Sequence, residues 1–162
     1  MKTKERMVKA VSLCRPENNL AEIAATMWED RCGALPVVDA EGRVISMITD
    51  RDVAIALGTR NLRASDVLVQ DVALPRVFTC LESDDVSFAL RTMVSQNVRR
   101  LPVVDHEGKL AGVISIDDFL LHTVPGKAGV LSLEALEALK TIVENRKRDH
   151  AQEPTMAIAA HG

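Results

Sequence analysis

Two short segments carry reactive groups at matched spacing: Thr49-Asp50-Arg51-Asp52 and Ser115-Ile116-Asp117-Asp118. Each sets a hydroxyl three residues before a carboxylate, where an apolar run gives way to an expected helix. That spacing makes a capping box, in which the hydroxyl accepts from a backbone N–H and the carboxylate reaches back. The same geometry suits a ligand. A helix N-terminus offers N–H groups and partial positive charge to a phosphate. The hydroxyl can donate to that phosphate, and an ionised carboxylate, acceptor-only, can take both hydroxyls of a ribose. A cap alone accounts for one such segment; two at equivalent positions favour a ligand.

The remaining candidates are weaker. His106, His122, His150 and His161 are scattered without metal-ligand spacing, and there is neither a P-loop nor a G-x-G-x-x-G. Cys14 and Cys80 read as core filling, since no base lies in pattern to activate them. Asp117 and Asp118 are adjacent at a helix start and point different ways, so they do not form a catalytic pair. No catalytic residue, metal or obligatory cofactor is expected.

The elements that position these segments come in duplicate. Leu35-Pro36-Val37-Val38-Asp39 recurs sixty-six residues later as Leu101-Pro102-Val103-Val104-Asp105. The same register pairs Val11 with Val77, Cys14 with Cys80, Met27 with Met93, Gly42 with Gly108, Ile48 with Ile114 and Asp52 with Asp118. Each copy predicts a short strand (residues 11–14; 77–81), polar helix starters (Asn18-Asn19; Ser83-Asp84-Asp85) and an amphipathic helix. A hairpin follows, with Gly42 or Gly108 at its turn and Pro36 or Pro102 at a strand start. The second helix of the first copy is expected to stop near Gly58.

Three strands and two helices make too small a core to stand alone. The predicted fold is therefore α/β (α+β): two β-α-β-β-α repeats packed sheet to sheet about a pseudo-twofold axis, leaving two equivalent clefts. Repeat 1 is assigned to residues 8–58, a linker with a helical turn to 59–75, and repeat 2 to 76–124. After Pro125-Gly126, residues 130–148 are expected to hold an amphipathic helix with Leu133, Leu136, Leu139, Ile142 and Val143 on one side. The tail, 149–162, is expected to fray.

Composition narrows the partners. Of 162 residues, 47% are hydrophobic but only 2% aromatic, which disfavours single-stranded nucleic acids that need aromatic faces. A net charge of −3 draws the chain to neither nucleic acid nor anionic lipid. An odd count of three cysteines fits a reducing cytoplasm. Leu13 and Lys9 argue against a lipoprotein cleavage site at Cys14, and no apolar run approaches the roughly 20 residues of a membrane span.

The doubled pattern of Leu-Pro-Val-Val-Asp, a glycine turn, an apolar strand and [ST]-x-x-D resembles a pair of CBS (cystathionine β-synthase) domains, the Bateman module, over residues 8–121. The resemblance implies a regulatory module that binds AMP, ADP, ATP, S-adenosylmethionine or a similar adenosyl ligand and forms homodimers. Carried over, it implies that Asp52 and Asp118 hold ribose. Thr49, Asp50 and Arg51 would hold phosphate in one copy, and Ser115, Ile116 and Asp117 in the other. Gly33-Ala34 and Arg99-Arg100 would line the clefts, Gly33-Ala34 toward adenine and the arginines toward phosphate, and Val11-Ser12 and Val77-Phe78 would flank adenine.

The copies differ. Gly33-Ala34 stands where the second has Arg99-Arg100, and Arg51 corresponds to Asp117, so one phosphate environment should be the more cationic. Gly112 keeps the family's small residue before [ST]-x-x-D, whereas Ser46 departs from it. The expected function is a nucleotide-binding sensor acting through dimer shape or an unidentified protein target. The alternative is a scaffold that dimerises through its helices with empty clefts.

Overall fold

A computed structural model describes residues 1–121 and 130–152. Repeat 1 comprises α1 (Leu20–Glu29), β1 (Ala34–Val38), β2 (Val44–Thr49) and α2 (Asp50–Arg60). Repeat 2 comprises β3 (Cys80–Leu81), α3 (Val86–Ser95), β4 (Arg100–Val104), β5 (Leu110–Ser115) and α4 (Ile116–Leu121), and α5 (Val130–Gln152) follows. The helices start as their sequences dictate. Asn19 caps α1 in a reciprocal box with Glu22, and the Asp85 side chain accepts from Ser87 N at the start of α3. The antiparallel pairs β1–β2 and β4–β5 turn at Gly42 and Gly108, whose φ of 83° and 80° suit glycine.

The first strand of each repeat is shorter than expected. In repeat 1 it is a single bridge, Cys14 parallel to Val37, bonded from Cys14 N to Pro36 O and from Val38 N to Cys14 O at 2.9 Å each. In repeat 2 only Cys80 and Leu81 pair with β4. The cause is Pro36 and Pro102, which lie inside β1 and β4, not at their starts. The next ladder bond upstream would need their N–H, and proline has none. Residues 11–12 and 77–78 are thereby released from the sheets.

The two sheets join through one bridge, Arg43 to Lys109. Val44 N donates to Gly108 O and Leu110 N to Gly42 O, both at 3.1 Å. The sixty-six-residue shift converts one bond into the other, so the pseudo-twofold axis passes here. A second exchange ties the halves together. Residues 1–8 lie on repeat 2: Thr3 N bonds Asp84 O, Val86 N bonds Met1 O, and Val8 pairs with Val113. Residues 67–74, within the stretch expected as a linker, lie on repeat 1 with equivalent bonds, Val69 N to Asn18 O and Leu20 N to Val67 O. Val67 and Val69 are buried in the core of repeat 1, and Thr3 is fully buried against repeat 2. Each half thus completes its packing with a leader that precedes the other.

Gly112 and Ser46 make that exchange unequal. A Cβ at Gly112 would lie 2.5 Å from Val8 O, so glycine lets the N-terminal leader pair directly with β5. At the equivalent place Ser46 is buried and its hydroxyl donates to Leu74 O. That leader is held by a side chain where its counterpart is held by a ladder.

The helix boundaries differ in two places. Gly58 lies within α2, and Asn61, with φ 51°, provides the left-handed cap. α5 runs to Gln152, past the expected helix end at residue 148, with no glycine or proline to break it before then. The packed side of α5 also differs. Ala135, Ala138 and Ile142 are buried with Leu139 against α3 and α4, while Leu133, Leu136 and Val143 are exposed. Small alanines allow close approach to the two helices, and the bulkier leucines face out. Pro125-Gly126, His122 and residues 153–162 lie outside the described residues.

Burial pushes the thiols of Cys14 and Cys80 up to about 12, with nearby Asp84 adding to the rise at Cys80. At pH 8 such thiols are ionised to only about one part in ten thousand. Titration with a disulfide reagent at that pH should label Cys32, which is partly exposed, quickly in the native protein and all three after unfolding. Fast labelling of a second thiol in the folded state would contradict the packing. Gly112→Ala should displace the N-terminal leader and lower stability by about 1–3 kcal/mol, read from the midpoint of urea denaturation; an unchanged midpoint would show that Val8 moves away freely.

Candidate functional site

The first turn of α2 forms the expected box. Thr49 N and Oγ1 donate to Asp52 Oδ2 at 2.8 and 2.7 Å, and Asp52 N donates to Thr49 Oγ1 at 3.2 Å. In repeat 2, Ser115 N and Oγ donate to Asp118 Oδ2 at 2.7 and 2.8 Å. The tip of α2 is not a set of free donors, however. Asp50 N is taken by Gly33 O at 3.2 Å, Arg51 N by Asp50 Oδ1 at 2.8 Å, and Asp52 N by the threonine. Ile116 N is likewise taken by Arg99 O at 3.0 Å. The backbone dipole remains, but these N–H groups are already bonded.

Two clefts flank the pseudo-twofold axis, of about 700 and 410 Å³. The larger brings Thr49, Asp50, Arg51 and Asp52 of repeat 1 together with Val77, Phe78, Arg99 and Arg100 of repeat 2, and with Gly33 and Ala34. The smaller brings Ser115 and Asp118 of repeat 2 together with Val11 and Ser12. Each cleft therefore combines the helix tip of one copy with the released segment of the other. Ala34 and Arg100, equivalent in the two copies, line both clefts. Gly33 leaves room for its neighbours: a Cβ there would meet Asp50 Oδ2 at 3.0 Å, so that the carboxylate would have to yield slightly, and the Arg100 guanidinium at 3.7 Å.

Ile116 and Asp117, expected at a phosphate, do not line the smaller cleft. The Ile116 side chain is buried in the core of repeat 2 and its N–H is occupied, while Asp117 is exposed elsewhere. An apolar residue at that place serves packing.

Several lining residues were missed in the sequence. Gln96 and Val98 line the larger cleft, and their equivalents Asp30 and Cys32 line the smaller; the repeat register could have found them as pairs. Arg76, whose guanidinium lies 4.7 Å from the centre of the Phe78 ring, has Ala10 as its counterpart. Arg146 reaches the larger cleft from α5 and has no equivalent. Its only signal is position, one turn beyond Ile142 on the packed stripe.

The clefts differ in charge as well as size. The larger is lined by five arginines, Arg51, Arg76, Arg99, Arg100 and Arg146, against Asp50 and Asp52. The smaller balances Arg31 and Arg100 against Asp30 and Asp118, and the Ser12 hydroxyl donates to Asp30. Among the described residues no group of three histidine, cysteine or carboxylate side chains could hold a metal ion, and no helix is long and apolar enough to cross a membrane.

The CBS domain model matches residues 4–59 and 69–124. An uncharacterized protein of Methanopyrus kandleri is 33% identical over 105 residues, which are 65% of this chain and 54% of that protein. An inosine-5'-monophosphate dehydrogenase of Mycobacterium bovis is 32% identical over 70% of this chain but only 21% of the enzyme. The chain thus spans about half the length of the first relative and a fifth of the second.

Among the solved structures that share the fold, three are informative. Hypoxic Response Protein I, with two coordinated zinc ions, superposes with a TM-score of 0.70 at 24% identity over 76% of this chain and 100% of its own. The CBS domain pair of a protein in complex with 5'-methylthioadenosine and S-adenosylmethionine gives 0.65 at 24% identity over 73% and 95%. The cytosolic domain of the magnesium channel MgtE in complex with ATP gives 0.65 at 22% identity over 75% and 48%. With both halves matched by the family model and the fold shared, this chain belongs to the CBS domain family as a tandem pair.

Proposed function

We propose that the chain is a regulatory module that binds adenosyl ligands in its two clefts without transforming them. The observation that carries this reading is the crossed construction of each cleft, an [ST]-x-x-D helix tip from one repeat facing the released segment of the other. Volumes of about 700 and 410 Å³ fall within the range of small-molecule sites. Asp52 and Asp118 accept from ribose hydroxyls; the capping bonds of Asp52 use Oδ2, which leaves Oδ1 for the sugar. Val77 and Phe78 flank adenine in the larger cleft, as do Val11 and Ser12 in the smaller. Arg51, Arg99 and Arg100 serve phosphate in the former; Thr49 there and Ser115 in the latter donate to phosphate only by giving up the O–H bond each now makes to its aspartate. AMP, ADP, ATP and S-adenosylmethionine are the ligand class, supported by the adenosyl compounds bound in the related structures.

A ligand changes the protein only through its different affinity for two states. The leaders that wall the clefts also tie the halves together, so occupancy acts on the angle between repeats and hence on homodimer shape or the surface shown to a partner protein. A reducing cytoplasm suits three free thiols. A second reading, a docking protein with empty clefts, is favoured by exposed apolar side chains on its helices: Trp28 at 85%, and Leu133 and Leu136 at 56% each.

Calorimetric titration with AMP, ADP, ATP and S-adenosylmethionine separates the two. Saturable binding is expected, and Asp52→Ala and Asp118→Ala should each weaken the ligand at their own site by about 1.5–3 kcal/mol. Thermal melts of both variants control for the lost cap, worth about 1 kcal/mol. A folded protein that binds none of the four would favour the docking reading.

A further inference from the structure

We infer that the larger cleft is a nucleoside-triphosphate site and that Arg146, delivered from outside the two matched repeats, completes it. This rests on the adenosyl-binding reading above and goes further, to which phosphate chain is selected and by what.

The charge census comes first. Arg100 is shared: with it turned to the larger cleft, five guanidinium groups face two carboxylates there, a formal excess of three positive charges, and the smaller keeps Arg31 against Asp30 and Asp118, one negative charge in excess. None of the five arginines makes an ion pair among the described residues; the pairs there are Met1–Asp85, Lys109–Glu107 and Lys140–Glu144. Held this way, the arginines repel one another. At Arg146, partial burial and the neighbouring Arg99 and Arg51 lower the guanidinium pKa. An anion among them relieves both costs.

The donor census sharpens the choice. The first three N–H groups of α2 are already bonded within the protein, so the phosphates must be met by side chains. A nucleoside monophosphate carries about two negative charges and a triphosphate about four, counting one per bridging phosphate and two at the end. Only the longer chain neutralises an excess of three. A sulfonium nucleoside adds positive charge and suits the smaller cleft better, where Arg31 faces Asp30 and Asp118.

Arg146 lies beyond the residues matched by the family model. Ala135, Ala138 and Ile142 pack α5 onto α3 and α4, and Arg146 follows Ile142 by one turn on that side. The packing of α5 therefore aims the residue into the cleft.

The test is calorimetry of the full chain with ATP, AMP, adenosine and inorganic tripolyphosphate, on the parent and on Arg146→Ala, Arg146→Lys and Arg146→Glu, with thermal melts to confirm folding. The parent should bind ATP at least tenfold more tightly than AMP or tripolyphosphate. Arg146→Ala and Arg146→Glu should cut ATP affinity at least tenfold and leave AMP within twofold; Arg146→Lys should fall between. AMP binding with no preference for ATP, or ATP affinity unchanged in Arg146→Ala, overturns this inference and leaves the adenosyl reading intact. Tripolyphosphate binding equal to ATP overturns it in favour of a general polyanion site. A folded parent that binds no adenine compound overturns both.

Discussion

The exchange of leaders between the two halves is the contact on which the rest of this molecule depends. Residues 67–74 fill the core of repeat 1, and residues 1–8 cover repeat 2. Two small sheets joined at one bridge would bury too little apolar surface to hold a fixed angle. With the leaders crossed, Val67 and Val69 reach almost complete burial, and each repeat is anchored to the chain that leads into its twin. The clefts follow from this topology: a segment leaving one half to begin the other must pass the helix tip of the first.

Proline sets where that passage opens. Pro36 and Pro102 withhold the N–H that would lengthen the first strand of each repeat, so the backbone before Cys14 and Cys80 leaves the sheet early. A substitution restoring the donor would let residues 12 and 78 join the ladder and would narrow the walls. A residue that looks like a tolerated exception within a strand is thus part of how the clefts are made.

Much of this was legible in the chain because it is written twice. The register from Leu35 to Leu101 carried the hairpins, the capping boxes and a pair of clefts, though not the crossing of helix tip and entry segment between copies, and turn chemistry at Gly42 and Gly108 needed no tertiary information. What escaped had no twin or had changed too far to be matched. Thr3 and Val69 fill equivalent places with unlike side chains, and their short turns show no periodicity. Arg146 has no counterpart at all. The packed side of α5 was misjudged because apolarity pointed to the leucines, whereas the contact with α3 and α4 is close enough to prefer Ala135 and Ala138. Ile116 carries the register of a site residue but the chemistry of a core residue, and burial decided its place.

Arg100 stands on the wall common to the two clefts. One guanidinium cannot lean both ways, so a guest on one side that draws it over deprives the opposite chamber of a cation. Linkage makes the bargain mutual: whatever the first occupant takes from the second, the second takes from the first to the same extent. Competition between unlike metabolites for a single arm would let this small protein register a ratio of concentrations, and not merely an amount.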